Sequence, residues 1–324
     1  MLSAYGLKDR GLEALARAED GSVPATAGWV DLIQPTPEED RATEQFLGAE
    51  IPTREESQEI EFSSRFYSED GAVFMTTTVL HGVDQGKPIL SPLTIAIAGE
   101  RIATVRYDEL RAVRHFVSRA SKPASGASSA ASVFLGLIEA IIDRTADVLE
   151  RISSDVDRIN QEIFLRRGGS AEQRELSTLI EEIGRQGDLA AKARESLASL
   201  ERLVQFAGLA APTINAKGGN RARMKLAARD IRSLEDHVAF LSSKINFLLD
   251  ATLGLISVEQ NEVIRVLTLG ATFFFPPTLI GTIYGMNFHA MPELDWHLGY
   301  PLAILLMVIS ALVPYLYFKR RGWL

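Results

Sequence analysis

The sequence lacks cysteine: none of its 324 residues is a cysteine, which excludes disulfide bonds, thiol catalysis and cysteine-ligated zinc. It also lacks a phosphate-binding loop of the GxxxxGK[ST] type and any serine–histidine–aspartate set. The histidines at positions 81, 115 and 237 are isolated, and a structural role explains each of them better than a ligand role. We therefore expect no enzymatic activity and neither a nucleotide nor an organic cofactor.

Positive charge is in the minority. The chain has 34 Lys and Arg residues against 42 Asp and Glu residues, a formal net charge of -8. This balance argues against a nucleic-acid partner and fits a protein that handles cations. The segment from Met1 to Asp20 has no apolar core, so we expect no signal peptide and a cytoplasmic location for the soluble part.

Charged residues are absent from two stretches near the C-terminus, Val266 to Phe288 and Leu298 to Phe318. Each has about 20 residues or slightly more, the length that an α-helix needs to cross roughly 30 Å of hydrocarbon. The loop between them has no Lys or Arg, whereas the tail of residues 319–324 begins with three basic residues. Because basic residues collect on the cytoplasmic side, the sequence predicts a two-helix transmembrane hairpin with both chain termini in the cytoplasm.

The remaining chain divides into two predicted regions. Residues 1–120 are expected to form an α+β cytoplasmic domain with a mainly antiparallel sheet, because β-branched runs at 72–80, 89–98 and 102–107 are separated by glycines. Residues 121–262 are expected to form a stalk of long α-helices. The hairpin then comprises a pore-lining transmembrane helix (263–288), a periplasmic loop (289–297), a second transmembrane helix (298–318) and the basic cytoplasmic tail (319–324).

Helix signals are clear in both regions. Thr36 with Glu39 and Thr53 with Glu56 form Thr-x-x-Glu capping boxes. In the stalk, Gly168-Gly169 and Pro212 separate three long helices, and the third carries a heptad-like apolar seam from Ile231 to Leu255. No helix breaker separates this third helix from the first membrane span. One helix of roughly 60 residues, about 90 Å long, is therefore predicted to run from the cytoplasm into the bilayer.

Polar residues of the first membrane helix recur at steps of three and four, which keeps them on one stripe of an α-helix. The stripe consists of Asn261, Ile264, Thr268, Thr272, Phe275, Thr278 and Thr282. In one interpretation, the threonines bond to their own helix or join it to a neighbour. In the other, which we favour, the stripe lines a water-filled path. Pro276 and Pro277 remove two backbone donors, and we expect a kink there.

The tripeptide Gly285-Met286-Asn287 stands at the outer end of this span. Glycine permits close approach of the backbone, and asparagine offers an uncharged amide oxygen. A ring of such groups would hold a hydrated cation through its water molecules. Mg²⁺ suits this arrangement because it dehydrates reluctantly.

Four segments near the C-terminus have a recognisable pattern: Tyr284-Gly285-Met286-Asn287-Phe288, Met291-Pro292-Glu293-Leu294, Gly299-Tyr300-Pro301 and the ending from Tyr317 to Leu324. With these segments the C-terminal region resembles the CorA family of magnesium channels, more closely its bacterial magnesium–cobalt branch than its zinc-transporting branch. The resemblance implies a homopentameric funnel in the bacterial inner membrane. Through it the membrane potential would drive hydrated Mg²⁺, or Co²⁺ and Ni²⁺, under the control of intracellular Mg²⁺. The pair His289-Ala290 departs from many relatives, which have an acidic or bulky aromatic pair there.

The resemblance also implies roles for individual residues. Gly285, Met286 and Asn287 would form the selectivity filter, and Met291, Pro292, Glu293 and Leu294 would lie in the periplasmic loop. With Thr268 added from the periodicity, the expected pore-lining residues are Asn261, Ile264, Leu267, Thr268, Phe275, Thr278 and Thr282.

Acidic residues give two further candidates. Asp250 lies about three helical turns before Asn261, so it is either part of an acidic ring at the inner mouth or a solvated helix charge. Glu259 and Glu262 allow the same two interpretations. Asp230 is a candidate ligand for regulatory Mg²⁺.

Two alternatives stay open at this point. A proton-coupled zinc or nickel transporter of the same architecture would use His289 and His297, since imidazole suits those metals. Against it, no His, Cys or acid lies within the first span. A membrane-anchored scaffold or enzyme would tolerate the loss of Asn287, and it would need an active-site constellation that the sequence does not offer.

Overall fold

The chain divides into two units, Met1–Leu249 and Asp250–Leu324. A computed structural model describes residues 1–8, 11–16, 21–59, 61–122, 127–165, 172–210, 214, 218–287, 291–292 and 295–322. The predicted helix breaks at Gly168-Gly169 and Pro212 lie outside these residues.

The N-terminal unit contains a seven-stranded mixed sheet. Its strands are β1 (Leu2–Lys8), β2 (Gly11–Leu15), β3 (Trp29–Ile33), β4 (Phe66–Glu69), β5 (Ala72–His81), β6 (Ile89–Ala98) and β7 (Arg101–Arg106). The strand order is β2-β1-β3-β7-β6-β5-β4, and only β3 and β7 run parallel. The expected α+β domain with a mainly antiparallel sheet is therefore confirmed, and β5, β6 and β7 correspond to the three predicted strand runs.

Four short helices accompany the sheet: α1 (Pro37–Leu47), α2 (Arg54–Gln58), α3 (Phe62–Arg65) and α4 (Arg111–Ala120). Both predicted capping boxes are present. The Thr36 hydroxyl accepts a hydrogen bond from the Glu39 amide while the Glu39 carboxylate accepts one from the Thr36 amide, and Thr53 and Glu56 repeat the pattern. These reciprocal bonds satisfy amides that the first helical turn leaves unpaired. A 3₁₀ helix (Val83–Gln85) forms part of the β5–β6 connection.

A buried ion pair lies at the parallel junction of the sheet. Asp31 on β3 and Arg106 on β7 are each only 3% exposed, with 2.8 Å between Asp31 Oδ2 and Arg106 Nη2. The Thr104 hydroxyl donates to the other carboxylate oxygen of Asp31 at 2.6 Å. Removing Arg106 would leave the Asp31 carboxylate buried without an opposite charge, so the pair favours the pairing of β3 with β7.

Three long helices follow: α5 (Ala130–Leu165), α6 (Glu172–Ala210) and α7 (Gly218–Tyr284). The continuous helix predicted from the sequence is present, and α7 has 67 residues. Its seam is buried at Ile231, Val238, Leu241, Ile245, Leu248 and Thr252. Leu255, the last residue of the predicted seam, is 38% exposed in the single chain, and the buried row ends one turn earlier.

Helix α6 covers an open edge of the sheet. Strand β4 pairs with β5 only from Ala72 to Met75, so the later residues of β5 lack a strand partner on that side. There the Ser196 hydroxyl donates to the Thr78 carbonyl at 2.9 Å, and the Thr78 amide donates to the Ser199 hydroxyl at 3.0 Å. Two serines thus supply the hydrogen bonds that a neighbouring strand would have made.

The second unit contains the end of α7 and helix α8 (Gly299–Arg320). Among the described residues, α7 and α8 are the two helices long and apolar enough to cross a membrane, with mean hydropathies of 1.6 and 2.1 in their most apolar windows.

Candidate ion-conduction path

Helix α8 packs against one face of α7. The Phe273 ring lies 6.2 Å from the Tyr315 ring and 6.3 Å from the Phe318 ring, measured between centroids. Two turns further along α7, a Cβ atom added to Gly281 would lie 3.3 Å from the Met307 Cε atom. Phe273 and Gly281 therefore mark the face of α7 that α8 covers.

The polar stripe lies on the other side of α7. At 3.6 residues per turn, its centre is roughly 140° around the helix from the face marked by Phe273 and Gly281. All seven expected pore-lining residues are exposed in the single chain, including Leu267 at 68% and Phe275 at 69%. Thr272 is half-buried at the margin of the stripe. The stripe is thus a free surface of the hairpin.

The threonine hydroxyls of this stripe donate to their own helix. Each bonds the carbonyl four residues earlier at 2.7 Å: Thr268 to Ile264, Thr272 to Thr268, Thr278 to Phe274 and Thr282 to Thr278. The first interpretation of the sequence, in which the threonines bond to their own helix, therefore holds for the hydroxyl protons. The hydroxyl oxygens keep lone pairs for other donors. A hydrated cation presents water hydrogens, so this surface offers the acceptors that such an ion requires.

Helix α7 continues through Pro276 and Pro277. Neither proline has a backbone amide hydrogen, so the carbonyls of Thr272 and Phe273 have no donor at the i+4 position. Free carbonyl oxygens in a membrane span need protein or water partners. The expected kink stays a prediction.

The predicted filter follows the last residue of α7. The Gly285 amide donates to the Gly281 carbonyl at 3.0 Å, and the Met286 amide donates to the Ile283 carbonyl at 3.3 Å, so the final turn tightens. A Cβ atom on Gly285 would lie 3.2 Å from the Gly281 carbonyl oxygen, which favours glycine there. Met286 and Asn287 are exposed beyond this turn.

Phe288, the last residue of the predicted first transmembrane helix, lies outside the described residues. So do His289, Ala290, Glu293 and Leu294 of the predicted outer loop, and Trp323 and Leu324 of the tail. Of the remainder, Met291 is half-buried, and Pro292 and His297 are exposed.

The acidic candidates differ in their position around α7 relative to the stripe. Asp250 is exposed, and its position eleven residues before Asn261 puts it within about 20° of that residue around the helix. Glu259 and Glu262 lie well away from the centre of the stripe. Asp230 is exposed, and no group of three or more His, Asp or Glu residues among those described is arranged to hold a metal ion. A single copy of the chain therefore does not assemble a regulatory Mg²⁺ site from its described residues.

Arg265 was not among the predicted site residues. It lines a 390 Å³ cavity beside the first turns of the uncharged part of α7, together with Asn261, Ile264, Thr268, Leu269 and Phe318. It is the last charged residue before the uncharged run, which was the available signal. Its guanidinium adds positive charge beside three of the expected pore residues.

The sequence matches a known protein family. Residues 25–320 match the family described as CorA-like Mg²⁺ transporter protein. The Magnesium transport protein CorA of Escherichia coli (strain K12) is 35% identical over 324 residues, which cover 100% of both proteins. The protein of that name from Salmonella typhimurium has the same identity and coverage.

Solved structures show the same fold. The complete CorA magnesium transporter from Methanocaldococcus jannaschii aligns with a TM-score of 0.78 at 17% identity, covering 100% of this chain and 99% of that one. The ZntB cytoplasmic domain from Vibrio parahaemolyticus aligns with a TM-score of 0.57 at 11% identity, over 79% of this chain and 97% of that one.

Proposed function

This chain belongs to the family of CorA-like Mg²⁺ transporter proteins, and we propose that it forms a passive channel for hydrated Mg²⁺ in the bacterial inner membrane. Co²⁺ and Ni²⁺ are further cargo ions in this proposal. The observation that carries it is the acceptor-rich stripe on the face of α7 that α8 leaves open.

The stripe requires more than one copy of the chain. A two-helix hairpin cannot enclose a path, so several copies of α7 must surround a common axis with their stripes facing inward. The family resemblance supplies the number five. In a homopentamer, Asn287 would form the outer ring of the filter beside Gly285 and Met286, and the threonines would form rings further in.

The energy source follows from the charge of the ion. A divalent cation gains about 4.6 kcal/mol per 100 mV of inside-negative potential, from about 2.3 kcal/mol for each charge. The sequence has no nucleotide-binding loop of the GxxxxGK[ST] type, and the potential alone suffices for uptake. Uptake at this driving force is expected to need a gate.

We also propose that intracellular Mg²⁺ controls the gate. Because one copy of the chain does not bring three suitable ligands together among its described residues, the regulatory site would be shared between copies. Asp230, which is exposed on α7, is the candidate ligand. Asp250 would form a separate ring at the inner mouth. The basic residues 319–321 favour a cytoplasmic location for both termini, with residues 289–297 in the periplasm.

The test is Mg²⁺ entry into proteoliposomes that contain the full-length protein, under an imposed inside-negative potential without nucleotide or proton gradient. We expect entry that increases with the potential. Entry of zinc that requires a proton gradient, without magnesium entry, would instead support the transporter alternative and make His297 the next residue to change.

Asn287→Ala is expected to abolish this entry while leaving the inserted oligomer intact, because it removes the amide that would hold the water shell of the ion. Asn246→Ala changes another exposed asparagine of α7 and is the matched control. Normal magnesium entry through a correctly inserted Asn287→Ala protein would refute the filter assignment.

A further inference from the structure

The N-terminal unit contains a cluster of arginines around one aspartate, which we call the Asp84 cluster. Arg144 Nη2 lies 2.7 Å from one carboxylate oxygen of Asp84, Arg151 Nη2 lies 3.0 Å from the other, and Arg111 also bonds the carboxylate. These residues come from the β5–β6 connection, from α4 and from α5. Three guanidinium groups on one carboxylate leave two positive charges unbalanced.

A 210 Å³ cavity opens beside this cluster. Its lining includes Arg111, Arg114 and Arg144 together with Asp84, Glu109 and His81. Arg114 is exposed and forms no ion pair with any residue that the structure describes. Glu109 already accepts a hydrogen bond from the buried Arg106 at 3.2 Å. With Arg151 and with Asp108, which lies beside His81, included, four arginines stand against three acids, in a protein whose net charge is -8.

Two other features of the cavity suit an anion. The N-terminus of α4 borders the cavity at Arg111 and Ala112, and its N-cap residue, Leu110, offers no side-chain acceptor to the first-turn amides. The buried His81 Nε2 atom has no hydrogen-bond partner among the described residues and lies 3.7 Å from Asp108 Oδ2. Helix N-termini and arginine forks are both groups that bind phosphate oxygens.

The carboxylate of Asp84 behaves as an anion held by this site. Burial acts to raise its pKa, but hydrogen bonds from Arg144, Arg111 and Arg151 outweigh burial and hold the pKa well below the ordinary value. A site that stabilises a built-in carboxylate so strongly has donors suited to an added oxyanion.

We propose that the cavity bounded by Arg111, Arg114 and Arg144 binds a phosphate group, either inorganic phosphate or the phosphate tail of a nucleotide. A second cavity of 420 Å³ shares Arg111 and Arg144 with the first, and its lining adds Arg119 together with the acids Asp143 and Asp147. A bound phosphate would join the β5–β6 connection to α4 and α5. The proposal rests only on the N-terminal unit, so it is independent of the proposed transport function.

The test is isothermal titration of the full-length protein in detergent, without Mg²⁺ and at constant ionic strength, with inorganic phosphate, ATP and adenosine as separate ligands. We expect saturable binding of phosphate or ATP and no binding of adenosine. Tighter binding of ATP would identify a nucleotide as the ligand, and equal or weaker binding of ATP would identify free phosphate. Absence of saturable binding of both would overturn the proposal.

Single substitutions test whether phosphate binds in the cavity beside the Asp84 cluster. Arg114→Gln leaves the three bonds to Asp84 in place and is expected to weaken binding about tenfold, the loss typical of a charge-assisted bond. Arg158→Gln is the control, because Arg158 lies on α5 outside both cavities and pairs with Glu162 and Glu182. Asp84→Asn removes the competing carboxylate and is expected to strengthen binding. Equal losses in Arg114→Gln and Arg158→Gln, or unchanged affinity in Asp84→Asn, would overturn the proposal.

Discussion

Replacing Thr278 with valine tests whether the stripe on α7 contacts the ion. The Thr278 hydroxyl is exposed on the uncovered face, and it donates to the Phe274 carbonyl at 2.7 Å. Valine has nearly the same shape and keeps the branched Cβ atom, so the helix should fold as before. The substitution removes one acceptor for the water shell of the ion.

The magnitude follows from the value of one hydrogen bond. A typical net contribution is about 0.5–1.5 kcal/mol. If the contact is made at the top of the barrier, its loss slows conduction about 2- to 12-fold for each contributing subunit. Thr272→Val is the matched control, because Thr272 makes the same intrahelical bond at 2.7 Å but is half-buried at the margin of the stripe.

The assay is the initial rate of Mg²⁺ entry into proteoliposomes at a fixed potential, normalised to the amount of inserted protein. We expect Thr278→Val to be slower than Thr272→Val. A rate in Thr278→Val equal to that of the parent protein would mean that this threonine serves helix packing, and the stripe would then lose its assignment as an ion path.

Three further predictions concern stability. Ser199→Ala leaves the buried Thr78 amide without its acceptor, so we expect a loss of about 1–3 kcal/mol in denaturant unfolding. Because the pKa of Asp84 is lowered in the folded state, its charge contributes stability above the ordinary pKa of 3.8, and this contribution is lost as the pH falls below that value. The melting temperature of Asp84→Asn should therefore fall below that of the parent protein near neutral pH, and the difference should shrink only in acid below that value. Gly281→Leu should overpack the contact with Met307 and destabilise the hairpin by about 1–3 kcal/mol in detergent.

Matched control substitutions are available for the changes at Ser199 and Gly281. Ser243→Ala removes an exposed hydroxyl that bonds its own helix, and it should change stability by less than about 0.5 kcal/mol. Equal effects of Ser243→Ala and Ser199→Ala would contradict the proposed role of α6 at the sheet edge. Gly281→Ala adds only a Cβ atom against the flexible end of a methionine, so a loss as large as that of leucine would contradict the packing argument. A pH-independent effect of Asp84→Asn would contradict the ionic account.

Local signals predicted much of the fold. The capping boxes at Thr36 and Thr53 place all their partners within four residues, so the sequence contains the whole motif. The continuity of α7 was equally predictable, because no helix breaker separates its stalk part from the first membrane span. In contrast, strands β1 to β3 were not predicted, and the parallel pairing of β3 with β7 depends on Asp31 meeting Arg106, 75 positions away. A contact between residues so far apart in the chain produces no periodic pattern in the sequence.

The same distinction applies to the candidate sites. Periodicity gave the stripe, since three- and four-residue steps define a helical face without knowledge of neighbours. Which face α8 covers depends on contacts such as Gly281 with Met307, which the sequence does not reveal. The Asp84 cluster was missed for the same reason, because its arginines at positions 111, 144 and 151 come from two other helices.

The absence of charge from the membrane span has a physical reason if the stripe conducts Mg²⁺. A carboxylate about 5 Å from a divalent ion would attract it by about 7 kcal/mol at an effective dielectric constant of about 20. Holding the ion that tightly would slow its exit by about five orders of magnitude. Conduction needs sites that an ion can leave, and amide and hydroxyl oxygens provide them. Acids are tolerable at a water-exposed mouth, where charge is screened, and in the proposed channel Asp250 would lie there. Thr282→Glu should therefore bind Mg²⁺ more tightly and conduct it more slowly than the parent protein, whereas faster conduction would refute this account.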